Sequence, residues 1–191
     1  MTRIAVFVSG GGTNLQALID AQNSGILHSG EIVTVIASKP GVYALERAEK
    51  AGIPTAVAYK KELGSQEAFE AKILEAVEAA GAELIVLAGF LSILSADFTK
   101  RFPKRILNVH PALIPSFCGD GCFGLQVHRL ALDYGVKISG ATAHFVTKDC
   151  DAGPIILQKA VDILPDDSVE SLRRRIMEDA EWKILPVSCE K

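Results

Sequence analysis

The sequence lacks the features that mark several large classes of protein. No apolar run reaches the roughly 18 residues that a membrane-spanning helix needs, and no signal-peptide pattern precedes the first predicted strand. The net charge of −3 provides no excess of positive charge for nucleic acid or an anionic membrane. Internal repeats and low-complexity segments are also absent. We therefore expect the 191 residues to form a single cytoplasmic domain that binds neither nucleic acid nor a membrane.

Cysteine is scarce, and its spacing fits no disulfide framework or zinc motif. The four cysteines are Cys118, Cys122, Cys150 and Cys189. Two of them, Cys118 and Cys122, could supply metal ligands together with His128. Free thiols in a reducing compartment are the simpler interpretation, so we predict no metal site.

Strands and amphipathic helices alternate through the first part of the chain, which is typical of parallel, doubly wound sheets. The apolar patterns predict strands at residues 3–8, 32–37, 55–59, 84–90 and 106–110, and helices at 15–25, 43–51, 65–80 and 126–134. Two later strands, 140–146 and 155–161, are predicted to form an antiparallel hairpin before a final helix that Ser168 caps. The predicted fold class is α/β, a single Rossmann-like, mostly parallel sheet with an antiparallel C-terminal part.

A polar pair, Asn108 and His110, ends the predicted strand at 106–110, and Pro111 stops that strand. Residues two apart on a strand point to the same face, so both side chains can converge on one point. Ligands of open α/β sheets bind beyond the carboxyl ends of the strands. The pair therefore lies where a reactive site is expected.

A second candidate site is the turn Ser9–Asn14, which contains three consecutive glycines between a strand and a helix. Free backbone N–H groups and the positive end of the helix dipole favour an anion at such a turn. The hydroxyl of Thr13 and the amide of Asn14 would add donors to this phosphate cradle. A plain turn capped by Thr13 is the alternative, but a plain turn seldom needs more than one glycine.

Two further absences exclude common classes of phosphate-binding motif at this turn. No lysine follows Gly12, so the turn is not a P-loop. Leu15 stands where a dinucleotide fingerprint needs its third glycine, and the second strand ends in Ser38 and Lys39 instead of an acid. A small phosphorylated metabolite remains the expected ligand.

The chemistry available at the strand ends involves Asn108, His110 and Asp151. An amide can donate to a developing oxyanion, and a nearby carboxylate raises the pKa of a histidine that exchanges protons near neutrality. No serine or cysteine occupies a nucleophile elbow, so direct attack by a substrate amine on an acyl group fits better than a covalent intermediate. The alternative is structural: Asn108 as a strand-end cap, Asp151 as a turn former and the histidine pairing without a catalytic role.

Four separated motifs carry a resemblance to a known family. They are Ser9–Gln16, Leu87–Leu91, Asn108–Pro115 and His144–Ile156 with its Asp151-Ala152-Gly153-Pro154 turn. In this order and register the chain resembles the glycinamide ribonucleotide formyltransferases of purine biosynthesis from Arg3 to about Pro186. The resemblance implies transfer of the formyl group of 10-formyltetrahydrofolate to the glycine amine of N1-(5-phosphoribosyl)glycinamide.

The resemblance also implies a role for each matching residue. Asn108 would bind the formyl oxygen, His110 would act as general acid and oxyanion stabiliser, and Asp151 would hold the histidine charged and order a water. The substrate side would comprise Gly12, Thr13, Asn14 and Glu181. The folate pocket would be formed, besides Asn108 and Asp151, by Leu91, Ser92, Ile93, Leu94, Thr147, Lys148, Asp149 and Cys150. Residues 1–111 would form the phosphate-binding half and residues 112–191 the folate-side half.

This sequence departs from the family pattern at several positions. Gln66 and Ser92 stand where some members have folate-side arginines, so folate affinity is expected to differ. The loop Cys118–Phe123 is longer than in short members, and the chain ends soon after Pro186, where relatives usually continue. We expect these differences to alter the lid of the site and the edge of the fold, while the implied catalytic residues all precede the tail.

Other functions within and outside this family stay open at this point. A formyltetrahydrofolate hydrolase usually has an additional N-terminal domain, and a methionyl-tRNA formyltransferase has a basic C-terminal domain that this sequence does not contain. A binding module without activity is disfavoured, because such a protein would be expected to have lost Asn108, His110 or Asp151. A monomer and a homodimer are equally compatible with the composition.

Overall fold

The fold is built on one seven-stranded sheet, and the computed structural model describes all residues from Met1 to Lys191. The strand order is β3-β2-β1-β4-β5-β6-β7. The strands are β1 Thr2–Val8, β2 Gly30–Ala37, β3 Thr55–Val57, β4 Leu84–Leu87, β5 Ile106–His110, β6 Ile138–Phe145 and β7 Ile155–Asp162. Strands β1 to β5 pair in parallel, whereas β6 pairs antiparallel with both β5 and β7. The predicted α/β class with an antiparallel C-terminal part is confirmed.

Helices cover both faces of this sheet. They are α1 Thr13–Ser24, α2 Tyr43–Lys50, α3 Lys60–Leu63, α4 Gln66–Ala79, α5 Ala96–Arg101, α6 Leu125–Tyr134, α7 Val169–Ile176 and α8 Trp182–Ser188, with a π-helical turn Met177–Glu181 between the last two. One face buries an apolar cluster of 28 residues and the other a cluster of 11. Strand β1 contributes to both clusters and is fully buried from Ile4 to Val8, as expected of the central strand of a parallel sheet.

The order of the strands reverses at β1, whose neighbours are β2 and β4. A crevice opens at such a switch point beyond the carboxyl ends of the strands. Because β1, β4 and β5 run in the same direction, the glycine turn after β1 and His110 at the end of β5 lie on the same rim of the sheet. This placement is the one that the sequence predicts for a ligand site.

The helices α3 and α5 were not predicted from the sequence. They have four and six residues, too few for a helical periodicity to be recognised, and α5 depends on its cap, because the Ser95 hydroxyl accepts a hydrogen bond from the N–H of Phe98. The final helix also continues beyond Ala180 through the π-helical turn and past Pro186. No helix in the structure combines the length and the apolar character needed to cross a membrane.

Candidate active site

Strand β5 delivers Asn108 and His110 to the crevice. The antiparallel pairing with β6 sets His144 directly opposite Asn108 and Thr142 opposite His110. His110 and His144 are almost completely buried, with 4% and 1% of their surfaces exposed. The register of one strand pair therefore gathers an amide and two imidazoles at one place, which is poorly accessible to water.

Asp151 reaches this cluster from the turn between β6 and β7. It adopts a left-handed backbone conformation, with φ of 52°, that carries the carboxylate back toward β5. Its Oδ2 lies 3.5 Å from Nδ1 of His110 and accepts a hydrogen bond of 3.0 Å from the N–H of Gly119. Its Oδ1 lies 3.6 Å from Nε2 of His144. The structure thus brings together the three residues that the sequence suggested, across 43 positions of the chain (151 − 108).

The pKa of Asp151 is lowered to about 2. Burial acts against this change and is the largest single influence, but it is outweighed by hydrogen bonds from His144 and the Gly119 N–H and by the charge of His110. The carboxylate is consequently ionised throughout the neutral range. It acts as a fixed negative charge in the site, since a group with so low a pKa is a poor proton acceptor near pH 7.

His110 has a hydrogen-bond acceptor at each ring nitrogen. Nε2 lies 2.8 Å from the carbonyl oxygen of Phe117, and Nδ1 faces Asp151. An imidazole carries one proton and an imidazolium two, so only the charged ring can donate to both acceptors. In the free protein, however, burial lowers the pKa of His110, and this effect exceeds the opposing influence of Phe117 and Asp151. Burial therefore opposes the charged form of His110 that Asp151 favours.

Sequence reasoning assigned no role to His144, although this residue holds the other two polar side chains in place. Its Nδ1 lies 3.1 Å from the carbonyl oxygen of Phe145, and its Nε2 lies 3.2 Å from Nδ2 of Asn108 and 3.6 Å from Oδ1 of Asp151. His144 is the one protein partner of the Asn108 side-chain nitrogen, so at least one of its two N–H groups remains available. The contact depends on the antiparallel pairing of β6 with β5, which the hairpin predicted between β6 and β7 does not indicate.

The glycine turn lies at the N-terminus of α1. Gly12 occupies the N-cap position with φ of 72°, and a Cβ at this residue would lie 2.7 Å from the Cβ of Ala44. Both the backbone conformation and the close approach of α2 therefore require glycine here. Thr13 is the first helical residue instead of the cap, and its hydroxyl lies 4.0 Å from the sulfur of Met177.

Asn14 contacts the C-terminal part of the chain through its side-chain amide. Its Nδ2 donates a 2.8 Å hydrogen bond to Oε2 of Glu181, and its Oδ1 is buried without a partner. Burial raises the pKa of Glu181, and the bond from Asn14 only partly opposes this. Glu181 therefore engages one N–H of the Asn14 amide, and the two side chains form one buried unit beside the turn.

The predicted folate-side residues follow two different strands. Leu91, Ser92, Ile93 and Leu94 follow β4, and Thr147, Lys148, Asp149 and Cys150 follow β6. The two segments approach the same face of the sheet, since Leu94 of the first segment and Val146, just before the second, pack against the same apolar cluster. The segment after β4 is tied to the glycine turn, because the N–H of Leu91 donates to the Ser9 hydroxyl at 2.9 Å.

A groove of about 510 Å³ runs beside the segment after β4. Its lining includes two strongly exposed apolar side chains, Leu91 at 68% and Ile93 at 84%, together with Lys60, Gln66, Ser92 and Ser95. Gln66 donates to the carbonyl of Ile93 at 3.1 Å and to Glu70 at 2.7 Å, and it accepts from Lys60 at 2.7 Å. At this position the chain therefore presents an uncharged side chain that braces the loop.

The long loop before α6 covers part of the site. It supplies the Phe117 carbonyl and the Gly119 N–H to His110 and Asp151, and Phe117 itself has a left-handed φ of 49°. All four cysteines are free thiols, and no group of three or more His, Cys, Asp or Glu side chains is arranged to hold a metal ion. His128 is buried on α6 with its Nδ1 unpartnered.

This fold and this strand-end cluster are those of a formyl transferase. The formyl transferase family model matches residues 2–188, and the chain belongs to that family. It is similar to the phosphoribosylglycinamide formyltransferase of Haemophilus influenzae, with 40% identity over 98% of this chain and 85% of that protein. The crystal structure of glycinamide ribonucleotide transformylase 1 from Symbiobacterium toebii matches with a TM-score of 0.91 and 43% identity, over 99% of this chain and 86% of that one.

Longer proteins also contain a segment similar to this chain. The trifunctional purine biosynthetic protein adenosine-3 of Drosophila melanogaster is 45% identical over 94% of this chain, and the Gallus gallus protein of the same name is 44% identical over 97%. The chain spans 13% and 18% of the lengths of these two relatives.

Proposed function

We propose that this protein transfers the formyl group of 10-formyltetrahydrofolate to the glycine amine of N1-(5-phosphoribosyl)glycinamide, a step of purine (IMP) biosynthesis. The observation that carries the proposal is the meeting of Asn108, His110 and Asp151 on the rim of the sheet that also holds the glycine turn. The family membership of the chain and its similarity to phosphoribosylglycinamide formyltransferases support it.

The proposed reaction is a direct attack without a covalent enzyme intermediate. The amine nitrogen bonds to the formyl carbon, and the carbonyl electron pair moves to the oxygen. The free N–H of Asn108 donates to this oxyanion, and the Nε2–H of His110 would do so after exchanging the Phe117 carbonyl for the oxyanion as its acceptor. The bond between the formyl carbon and N10 of the folate then breaks, the amine loses a proton, and N10 gains one.

Asp151 supports this sequence of steps as a fixed charge. Negative charge on the oxyanion favours the protonated form of His110, and the adjacent carboxylate stabilises the imidazolium that results. A water held by the carboxylate would carry the amine proton away. Removing an oxyanion donor costs about 2.7–4 kcal/mol in known enzymes and an acid–base group supplies about 10²–10⁴ in rate, so these few groups suffice for formyl transfer.

The acceptor is proposed to bind through its phosphate and its ribosyl part. Backbone N–H groups of Gly12, Thr13 and Asn14 would hold the phosphate, and the Glu181 carboxyl would face the sugar and amine. The grip on the phosphate holds the amine in line with the formyl carbon. Residues 1–111 would supply the phosphate cradle with Asn108 and His110, and residues 112–191 would supply Asp151, Glu181 and part of the folate pocket.

The groove beside β4 fits an extended folate in size and chemistry. Ligand pockets of roughly 300–1,000 Å³ accept molecules of this size, and the groove measures about 510 Å³. A flat ring system would cover the exposed Leu91 and Ile93, while backbone groups of residues 91–94 and 147–151 would pair with the pterin edge.

The proposal is tested by following folate turnover by absorbance with and without the phosphorylated amine. We expect product formation only when the phosphoribosyl amine is present. Formate release at full rate without any acceptor would make the protein a hydrolase, and formylation of a charged methionyl-tRNA would make it a tRNA formyltransferase. Binding of both ligands without turnover would make it a binding module.

The proposed partners are small molecules, and the proposed compartment is the cytoplasm. A net charge of −3 supports the absence of a nucleic-acid partner. Assembly into a homodimer stays a prediction, and equilibrium sedimentation of the purified chain distinguishes it from a monomer.

A further inference from the structure

The backbone amides of the glycine turn are free. The N–H groups of Gly11, Gly12, Thr13 and Asn14 donate to no backbone or side-chain acceptor, and the first helical bond of α1 comes from the N–H of Gln16 to the carbonyl of Gly12. A row of free amides at a helix N-terminus attracts an anion only if the N–H bonds point toward it. The orientation of each peptide unit in the turn is therefore decisive.

Two carbonyl groups of the turn accept hydrogen bonds from helix α2 and therefore point toward that helix. The Gly10 carbonyl accepts from the N–H of Ala44 at 3.1 Å, and the Gly11 carbonyl accepts from Nε of Arg47 at 2.8 Å. The peptide bond between Gly11 and Gly12 is trans, so the carbonyl of Gly11 and the N–H of Gly12 point in opposite directions. A bond that holds the Gly11 oxygen toward α2 thus directs the Gly12 N–H away from it.

Arg47 is itself held in one position by three contacts. A terminal nitrogen of its guanidinium donates to Oε1 of Gln16 at 3.0 Å, and the guanidinium carbon lies 4.8 Å from the centre of the Tyr43 ring. The side chain also packs against the turn, since its Cδ would lie 3.4 Å from a Cβ at Gly12. The guanidinium therefore connects the first turn of α1, the ring of Tyr43 and the glycine turn.

We propose that Arg47 is a positioning residue that keeps the Gly11–Gly12 peptide unit oriented for phosphate binding. A peptide unit between two glycines can rotate with little steric cost, because neither residue has a Cβ that restricts its backbone. Rotation by half a turn would present the Gly11 carbonyl oxygen, instead of the Gly12 N–H, to the anion. The charge-assisted bond from Arg47 stabilises the productive orientation. This inference rests on the proposed function, in which the turn holds the phosphate of the acceptor.

The test compares two ligands with several variants. The ligands are the phosphoribosyl glycinamide and its ribosyl counterpart without the phosphate, and binding of each is measured by calorimetry in the absence of folate. The variants are Arg47→Met, Arg47→Lys and the control Lys50→Met. Lys50 lies over the same Tyr43 ring, 5.4 Å from its centre, whereas the side-chain hydrogen bonds to Gly11 and Gln16 come from Arg47. Steady-state KM and kcat for the phosphorylated amine complete the comparison.

We expect Arg47→Met to weaken binding of the phosphorylated ligand by about tenfold or more, as the loss of a charge-assisted bond does. Its KM rises in proportion, kcat changes little, and binding of the ligand without phosphate is unchanged. Arg47→Lys is intermediate, because lysine can donate to Gly11 but cannot also hold Gln16 in the same geometry. Lys50→Met binds both ligands like the unmodified protein.

Other outcomes overturn the inference in recognisable ways. Equal weakening of both ligands, or none, by Arg47→Met and Arg47→Lys excludes a role in phosphate orientation. Should Arg47→Met not fold, Arg47→Lys with an unchanged unfolding temperature carries the test, and normal phosphate affinity in that variant overturns the inference. If the unmodified protein does not prefer the phosphorylated ligand, the proposed phosphate cradle itself fails, which is a different result from a defect confined to Arg47.

Discussion

Asn14 donates a 2.8 Å hydrogen bond from its side-chain amide to the carboxyl of Glu181, across 167 positions of the sequence. The bond joins the first turn of the first helix to a π-helical turn near the end of the chain. π-helical turns are rare in proteins, and those that occur often lie at functional sites. This one carries a buried carboxyl group to the side of the glycine turn, where a phosphorylated acceptor is proposed to bind.

The first prediction concerns this carboxyl group. Burial raises the pKa of Glu181, so the folded protein holds the proton more tightly than the unfolded chain, and the contribution of Glu181 to stability is lost as pH rises through the raised pKa. Glu181→Gln removes that loss and keeps an acceptor for Asn14. We expect the difference in unfolding temperature, variant minus unmodified protein, to increase between pH 5 and pH 8. The KM for the acceptor is expected to be higher in the variant.

Thermal unfolding at several pH values measures this effect, and Glu178→Gln is the matched control. Glu178 belongs to the same π-helical turn but is exposed, so its replacement leaves the pH dependence unchanged. A constant difference between Glu181→Gln and the unmodified protein at all pH values would show that burial does not perturb this carboxyl group.

A second prediction concerns the fixed charge beside His110. Asp151→Asn keeps the shape of the side chain but removes the charge that stabilises the imidazolium, so we expect kcat to fall by about 100-fold or more. Binding of both substrates changes only a few-fold, because the phosphate contacts are elsewhere and the proposed folate contact of residue 151 is made by its backbone, which the substitution keeps. Steady-state kinetics with Asp133→Asn, an exposed carboxylate on α6, as control checks this. Unaltered kcat in Asp151→Asn would remove Asp151 from the mechanism.

A third prediction concerns the link between the two substrate subsites. The Ser9 hydroxyl accepts from the N–H of Leu91 at 2.9 Å and lies 2.6 Å from the hydroxyl of Ser38. Ser9→Ala leaves the Leu91 N–H without this acceptor, so we expect KM for the folate to rise about fivefold, which corresponds to one neutral hydrogen bond. Ser38→Ala preserves the bond between Ser9 and Leu91 and is the control. Equal folate KM values in the two variants would contradict the link.

A fourth prediction concerns His128, which does not take part in the proposed reaction. Burial, aided by the charges of Arg173 and His110, lowers the pKa of His128 to about 4. Between this value and about 6.5 the unfolded chain binds a proton that the folded protein does not, so stability rises with pH across that interval. We expect His128→Gln to lose less stability than the unmodified protein between pH 7 and pH 5. Denaturation midpoints that fall by the same amount in both proteins between pH 7 and pH 5 would refute this.

The alternation of apolar strands and amphipathic helices could be recognised along the chain, because each of these elements carries its own hydrophobic period. Parallel pairing of these strands implies that the glycine turn and the Asn108–His110 pair lie at the same rim of the sheet. The short helices α3 and α5 escaped recognition, since four or six residues do not complete a periodic pattern.

By itself, the sequence determined which strands and helices form, which side chains end the fifth strand, and where an anion can meet backbone amides, because local periodicity and glycine content decide these features. Only the tertiary structure decided that His144 supports Asn108, that Asp151 is tied to Gly119, that Glu181 meets Asn14, and that Arg47 holds the Gly11 carbonyl. The physical reason is that these contacts depend on strand register, on the left-handed backbone of Asp151 and on how helices pack across the sheet, and none of these leaves a repeating signal along the chain.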